Sequence, residues 1–232
     1  MRPLPVMNEI IIIGNSKAAI NLSNYLKSIG LKNKIIPYRK TDSSENAIKK
    51  AKTVFILTKD DNIEKFYRKY RKIIKNKKLF HFSGALTFKN IISIHPLYPF
   101  SKKPLTQKEF EKIIFTSENP KYIKSNLKWL KNEIIKINPC QKPYYHAVVS
   151  IYFNFPLLIL RDLSCLIEKK FKIPKKYLQE VFLKNLNNFL KTGEITGPIE
   201  RKDQKTIETH LKAIKKTKLL NLYKGMIEFT GR

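Results

Sequence analysis

The sequence predicts an α/β fold in which a parallel sheet occupies residues 1–140 and an all-helical domain follows over 141–232. Three observations carry this reading. Short apolar runs, several of them β-branched, alternate with helical periodicity through the first half of the chain. The first of these runs is followed at once by Gly14, as where a strand turns into a helix. Beyond Pro143 the chain is long apolar helical segments, with no strand pattern after Ile137.

The elements follow in order. Glu9–Ile13 reads as a strand, and Ala18, Ala19, Leu22, Leu26 and Ile29 then recur at helical spacing, with Gly30 placed to end the helix. Lys34–Tyr38 is a second strand and Ala47–Lys52 a helical fragment. Thr53–Leu57 is a third strand, ending in the polar cluster Thr58-Lys59-Asp60-Asp61-Asn62. A basic helix covers Ile63–Lys75, Leu79–Phe82 is a strand stopped by Ser83-Gly84, and Ile91–His95 is another stopped by Pro96. Strands alternating with helices imply right-handed βαβ units. A long helix over Tyr144–Phe171 opens the second domain. A helix to about Lys191, a Gly/Pro loop over Thr192–Pro198 and a final helical stretch complete it.

Composition removes several classes. Lys plus Arg is 47 and Asp plus Glu 18, a net charge of +29, yet 42% of residues are hydrophobic, which excludes a disordered polybasic tail. The two cysteines, Cys140 and Cys165, make no ligand-type pair, so neither a disulfide scaffold nor a cysteine zinc module is expected. The opening MRPLPVMNEIIIIGNSK is not patterned as a signal peptide. The longest apolar stretch, Ile151–Leu160, is interrupted by Asn154 and Pro156, so a membrane span is not expected and the cytoplasm is the expected location. The lysines are spread along the chain, on polar helix faces such as Lys65, Arg68, Lys69, Arg71 and Lys72. A solvated lysine surface accounts for them better than a nucleic-acid interface.

Three groups of residues point to chemistry. Gly14-Asn15-Ser16-Lys17 stands at a strand-to-helix turn, where backbone N–H groups and the positive end of a helix dipole receive phosphate. Tyr38-Arg39-Lys40 follows the second strand, where an NAD site would place an acid. Arg39 and Lys40 suit the 2′-phosphate of NADP instead. His146, Ser150 and Asn154, four residues apart, form a polar stripe on an apolar helix that Pro156 should kink. Such groups need partners, which a ligand or loop carbonyls would supply. His81 and His95 stand at strand ends, where α/β proteins bind ligands, although His81 also suits a core position. No H-x-x-x-H pair or carboxylate cluster accompanies the four histidines, so no metal is expected.

Five segments in series resemble a known family. They are Thr58-Lys59-Asp60-Asp61-Asn62-Ile63, His81-Phe82-Ser83-Gly84-Ala85-Leu86, His95-Pro96-Leu97-Tyr98-Pro99-Phe100, Tyr145-His146-Ala147 with Asn154, and Thr196 through Asp203 with His210. Together they resemble the two-domain proteins, once classed as of unknown function, that are distant relatives of ketopantoate reductase, pyrroline-5-carboxylate reductase and 6-phosphogluconate dehydrogenase. Ser16 in place of a glycine, and Thr58-Lys59 in place of valine-proline, depart from the pattern.

The resemblance implies a Rossmann-like sheet, a helical domain like that of 6-phosphogluconate dehydrogenase, and pairing of two copies through that domain. It also implies an NADPH-dependent reductase of a small anionic 2-keto acid. Ketopantoate is the first choice because Ile151, Phe153 and Phe155 suit its gem-dimethyl group, with pyrroline-5-carboxylate the alternative. Cofactor contacts fall to Gly14, Asn15, Ser16, Lys17, Arg39, Asp60, Asn62 and Ser83. Relatives carry a Lys where Ser150 stands, so proton donation passes to His146, with Asn154 orienting the substrate and His95 beside the nicotinamide. Ser150 and Arg201 are the substrate contacts, Arg201 through its bidentate fork or else paired with Asp203. His210 is expected to bond the Gly197-Pro198 loop. An idle NADP sensor and a basic nucleic-acid binder stand as rival readings.

Overall fold

The computed structural model describes residues 10–231; the expected strand residue Glu9 and the N-terminal segment before it lie outside the described residues. Two compact units divide the chain, Met1–Phe155 and Pro156–Arg232.

The first unit is built on five parallel strands: β1 (Ile10–Ile13), β2 (Asn33–Ile36), β3 (Thr53–Ile56), β4 (Lys78–His81) and β5 (Ile92–Ser93), in the order β2-β1-β3-β4-β5. Their side chains alternate between two cores. Ile10, Ile12, Phe55 and Phe80 pack on one face with Leu22, Tyr25 and Leu26 of α1 (Lys17–Ser28). Ile11, Ile13, Val54, Ile56 and Leu79 pack on the other, with Ile48 of α2 (Glu45–Lys50) and Ile63, Phe66, Tyr70 and Ile74 of α3 (Asp60–Ile74). A sheet covered on both faces requires continuous apolar runs, which is why Ile10–Ile13 reads as four isoleucines. The outer face of α3 is the solvated lysine surface expected, with Arg68 paired to Glu64 (2.6 Å) and Lys69 to Asp42 (2.6 Å).

Between residues 95 and 136, most of which the sequence reading assigned to no element, the chain adds a second small sheet. Beyond β5, β6 (His95–Pro96) pairs antiparallel with β7 (Phe115–Ser117), which pairs parallel with β8 (Ile134–Lys136). Pro96 therefore does not stop the chain's pairing but sits within it. Two short helices, α4 (Gln107–Glu111) and α5 (Pro120–Asn126), lie between these strands, α4 held by a complete capping box from Thr106 and Glu109.

The last strand ends at Lys136, near the expected change of character at residue 140, whereas compactness divides the chain inside the next helix. That helix, α6 (Lys142–Phe171), continues through Pro156. Proline carries no N–H to donate to the Tyr152 carbonyl, and the break between units falls at that ring. By length and composition α6 is apolar enough to cross a membrane, with a mean hydropathy of 1.4 over its window, against the sequence expectation. The expectation rested on the interruption of the Ile151–Leu160 stretch, but Asn154 and Pro156 are neutral and interrupt it without adding charge. The second unit continues with α7 (Lys175–Thr192), closed by Gly193 at φ +73°, then α8 (Gln204–Ile214) and α9 (Leu219–Thr230). His210 bonds the Tyr223 hydroxyl (3.0 Å) between α8 and α9, not the Gly197-Pro198 loop. No strand is present after residue 136 among the described residues.

Phe80 has no exposed surface and stacks on Phe55 at a ring separation of 5.2 Å. Phe80→Ala is expected to lower unfolding stability by about 3–5 kcal/mol in denaturant titrations. A loss below about 1 kcal/mol would mean that the sheet is not the core of this unit.

Candidate functional site

Gly14 follows β1 at φ +111°, and a Cβ there would meet the Leu57 carbonyl oxygen at 2.5 Å, so the turn requires glycine. Its N–H donates to the Ile36 carbonyl (2.8 Å), tying the turn to the end of β2. Ser16 caps α1 by accepting from Ala19 N–H (3.2 Å), and no acidic residue occupies the first turn of that helix. Asn15 and Lys17 are exposed beside it. Arg39 stands exposed in a single helical turn, Tyr38–Lys40, three residues beyond Ile36, the register partner of Ile13. The turn and the arginine thus belong to neighbouring strand ends.

The ends of β3 and β4 carry the next groups. Asp60, in the first turn of α3, accepts from the Ser83 hydroxyl (2.7 Å), which itself accepts from Leu86 N–H (3.1 Å). Asn62 is half-buried one turn into the same helix. Ser16, Thr58, Asp60, Ser83, Gly84, His95 and His146 line one hollow of about 200 Å³. A second hollow, of about 130 Å³, is lined by His95, Tyr98, His146, Val149, Ser150, Phe153 and Asn154 among others. His95 and His146 belong to both.

Their rings meet edge to face at 5.4 Å across Gly84, where a Cβ would come 2.5 Å from His146 Cδ2 and 3.0 Å from His95 Cδ2. Only glycine admits both rings. Thr116 donates to the Tyr145 hydroxyl (3.2 Å), and that hydroxyl lies 3.4 Å from His95 Nδ1.

His81 is fully buried and takes Ser83 N–H on Nδ1 (3.2 Å), leaving Nε2 with no partner among the described residues. It is a core histidine, as one of the two sequence readings had it, and lines neither hollow. Below the histidines lies a polar network that sequence reasoning missed. Lys142, 2% exposed, donates from Nζ to the Ser93 hydroxyl and sits 3.3 Å from Glu118 Oε2; Ser93 N–H also donates to Glu118 Oε1 (2.8 Å). Lys142 continues the stripe of His146, Ser150 and Asn154 one turn earlier, and that spacing was the available signal.

Burial pushes the His81 imidazole down to about 3 and His95 to about 4 from an ordinary 6.5, with Lys142 and neighbouring histidines adding like-charge repulsion. Burial also lowers the Lys142 ammonium, opposed by Glu118. No group of three or more His, Cys, Asp or Glu side chains is placed to hold a metal among the described residues.

The expected residues therefore divide. Ser16, Asp60, Ser83, His95, His146, Ser150 and Asn154 line the two hollows, with Gly14 setting the turn beneath them, while Asn15, Lys17, Arg39 and Asn62 line neither. Of the expected apolar wall, only Phe153 reaches the hollow; Ile151 and Phe155, two positions away on either side, fall on the opposite helix face. Arg201 belongs to the second unit, where its N–H donates to the Gly197 carbonyl (3.1 Å). Asp203 caps α8 by accepting from Thr206 N–H (3.2 Å), and the Thr206 bonds, helped by the Arg201 charge, hold its carboxyl below the usual range.

Residues 116–229 match the family model described as a domain of unknown function, DUF2520. No curated protein matches the chain. Its fold is similar to that of a Bacteroides fragilis protein provisionally assigned as an NADP oxidoreductase. The TM-score is 0.68 at 19% identity, over 95% of this chain and 96% of that one. The Thermotoga maritima protein TM1727 gives 0.67 at 20% identity, over 95% and 96%. The pyrroline carboxylate reductase of Plasmodium falciparum, solved with NADP bound, gives 0.55 at 11% identity, over 95% and 94%. The chain thus has a Rossmann-type sheet with a helical C-terminal region, the fold these proteins share.

The depressed histidines make stability depend on acid. Below pH 6.5 the unfolded chain binds protons that folded His81 and His95 refuse, so stability falls as pH drops, by about 1.4 kcal/mol per unit per histidine. His95→Gln should make the decline between pH 6.5 and 5 shallower in denaturant titrations. An unchanged slope would contradict the burial of that ring.

Proposed function

We propose that the chain is an NADPH-dependent cytoplasmic reductase that reduces a C=O or C=N bond of a small substrate. One observation carries the reading: two hollows, one at the strand ends beside the Gly14 turn and one along α6, meet at His95 and His146. A cofactor and a substrate bound in adjoining spaces would react at that seam.

The residues fit the cofactor. A glycine that no other residue can replace, followed by a helix start free of acid, suits a pyrophosphate. In this reading Gly14, Asn15, Ser16 and Lys17 receive it, Arg39 receives the 2′-phosphate, and Asp60, Asn62 and Ser83 border the path to the seam. Bound NADPH supplies the hydride. His95, neutral, offers Nε2–H to the substrate heteroatom, while His146 delivers the proton and Ser150 and Asn154 orient the substrate.

Ketopantoate and pyrroline-5-carboxylate are the two substrates in view. Among the described residues no lysine or arginine lines either hollow, and Ser150 stands where a carbonyl-polarising lysine is expected. An imine needs no strong acid, so this observation favours pyrroline-5-carboxylate over ketopantoate, whose apolar wall is reduced to Phe153. Opposite the polar stripe, Tyr144, Val148, Ile151, Tyr152 and Phe155 form an apolar stripe with exposures of 46% or more. A second copy covering that stripe makes the chain a homodimer.

NADPH oxidation followed with both substrates and a panel of 2-keto acids tests the reading. Turnover with at least one of them is expected, and none would end it. His146→Ala with Asn154→Ala should cut kcat/KM by at least about 100-fold; full activity would discard the site. Arg39→Ala should weaken NADPH binding in calorimetry and leave NADH binding unchanged. Light scattering is expected to give twice the chain mass, reduced to one chain by Tyr152→Glu; a wild-type monomer would refute the pairing.

A further inference from the structure

The segment between β2 and α2 carries a cation and an anion at the spacing of a local pair. Residues 38–44 run as two consecutive single helical turns, Tyr38–Lys40 and Asp42–Ser44, joined through Thr41 in helical backbone geometry. Lys40 N–H donates to the Pro37 carbonyl (2.8 Å) and Ser44 N–H to the Thr41 carbonyl (3.1 Å). Side chains three apart eclipse in such tight turns, so Arg39 and Asp42 fall on one side. They do not pair: among the described residues Arg39 forms no ion pair, and Asp42 turns to α3 instead. Lys69 Nζ lies 2.6 Å from Asp42 Oδ1 and donates to Oδ2 (2.8 Å), and the Tyr70 hydroxyl donates to Oδ1. One helix thereby takes both carboxylate oxygens. Tyr70 is 5% exposed and its ring packs on Phe66 at 4.9 Å, so the core fixes its hydroxyl. Thr41, equally buried, ties the loop from within by donating to the Tyr38 carbonyl (3.0 Å). Lys69 and Tyr70 also hold the Asp42 carboxyl below the usual carboxylate range, so it stays ionised at neutral pH. An exposed ion pair adds little to stability. What this one decides is which cation the carboxylate meets.

We propose that Lys69 and Tyr70 are specificity-determining positioning residues: by drawing the Asp42 carboxylate onto α3, they leave the Arg39 guanidinium unpaired for a 2′-phosphate. A phosphate arriving at Arg39 would otherwise meet a carboxylate three residues away, both a competitor for the guanidinium fork and a like charge. A dinucleotide with free ribose hydroxyls is not repelled there. This assignment rests on the proposed reading of Arg39 as the 2′-phosphate contact.

Calorimetry of NADPH and NADH binding to the full chain tests it. Lys69→Met with Tyr70→Phe releases Asp42 while keeping both apolar side-chain bodies. It should lower the preference for NADPH over NADH by at least about threefold, the scale of one exposed ion pair. In an Asp42→Asn background the same two substitutions should leave the preference unchanged. A direct pull of Lys69 on the phosphate, or lost loop packing, would act in both backgrounds. Should the paired substitutions prevent folding, Lys69→Met alone, at an exposed helix position, is measured in the two backgrounds, with a smaller drop of the same sign expected. An unchanged preference in the released variant, or an equal drop with Asp42→Asn present, would overturn the proposal and leave the reductase reading standing. A wild type that binds neither dinucleotide, or NADPH binding untouched by Arg39→Ala, would overturn both.

Discussion

The parallel sheet is buried on both faces, and the rest of the first unit follows from that constraint. Ile11, Ile12 and Ile13 have no exposed surface, nor do Val54, Ile56 or Phe80. No polar side chain has room between these layers without a partner, so chemistry is displaced to the strands' carboxyl ends. There Gly14, Asp60, Ser83 and Gly84 follow β1, β3 and β4 in turn, and His95 follows β5. Among the described residues, the polar groups admitted deeper beside this edge include Lys142, Ser93 and Glu118, held in one network, and His81, which leaves an atom unsatisfied.

Glycine does two different jobs along this edge. At Gly14 the backbone itself is in a region that side chains avoid, and the carbonyl of Leu57 occupies the Cβ position. At Gly84 the backbone makes no such demand; two imidazoles occupy the space instead. The first sets the turn at which phosphate binding is proposed, and the second lets the two imidazoles that line both hollows meet. Helix α6 divides its surface in the same economical way, with Lys142, His146, Ser150 and Asn154 on one stripe and large apolar residues on another.

The five main strands were legible because two-sided burial writes itself as apolar β-branched runs, and α1 and α3 because one apolar face repeats at helical spacing. β7 and β8 have three residues each, and α4 and α5 five and seven, too short for periodicity to register. The lining of the two hollows was legible where one helix or one turn carries it, as with Ser16, His146 and Asn154. It was not where Glu118, Ser93 and Lys142 converge from separate segments, since tertiary packing alone makes them neighbours. The missed Phe153 geometry was a matter of period. Residues 151, 153 and 155 alternate faces on a helix and share one only on a strand.

The most direct test of the account is a crystal structure of the chain with NADP+. The account predicts the pyrophosphate at the Gly14–Lys17 turn and the nicotinamide against Gly84, within reach of His95 and His146. A nucleotide bound elsewhere, or none at saturating concentration, would contradict it.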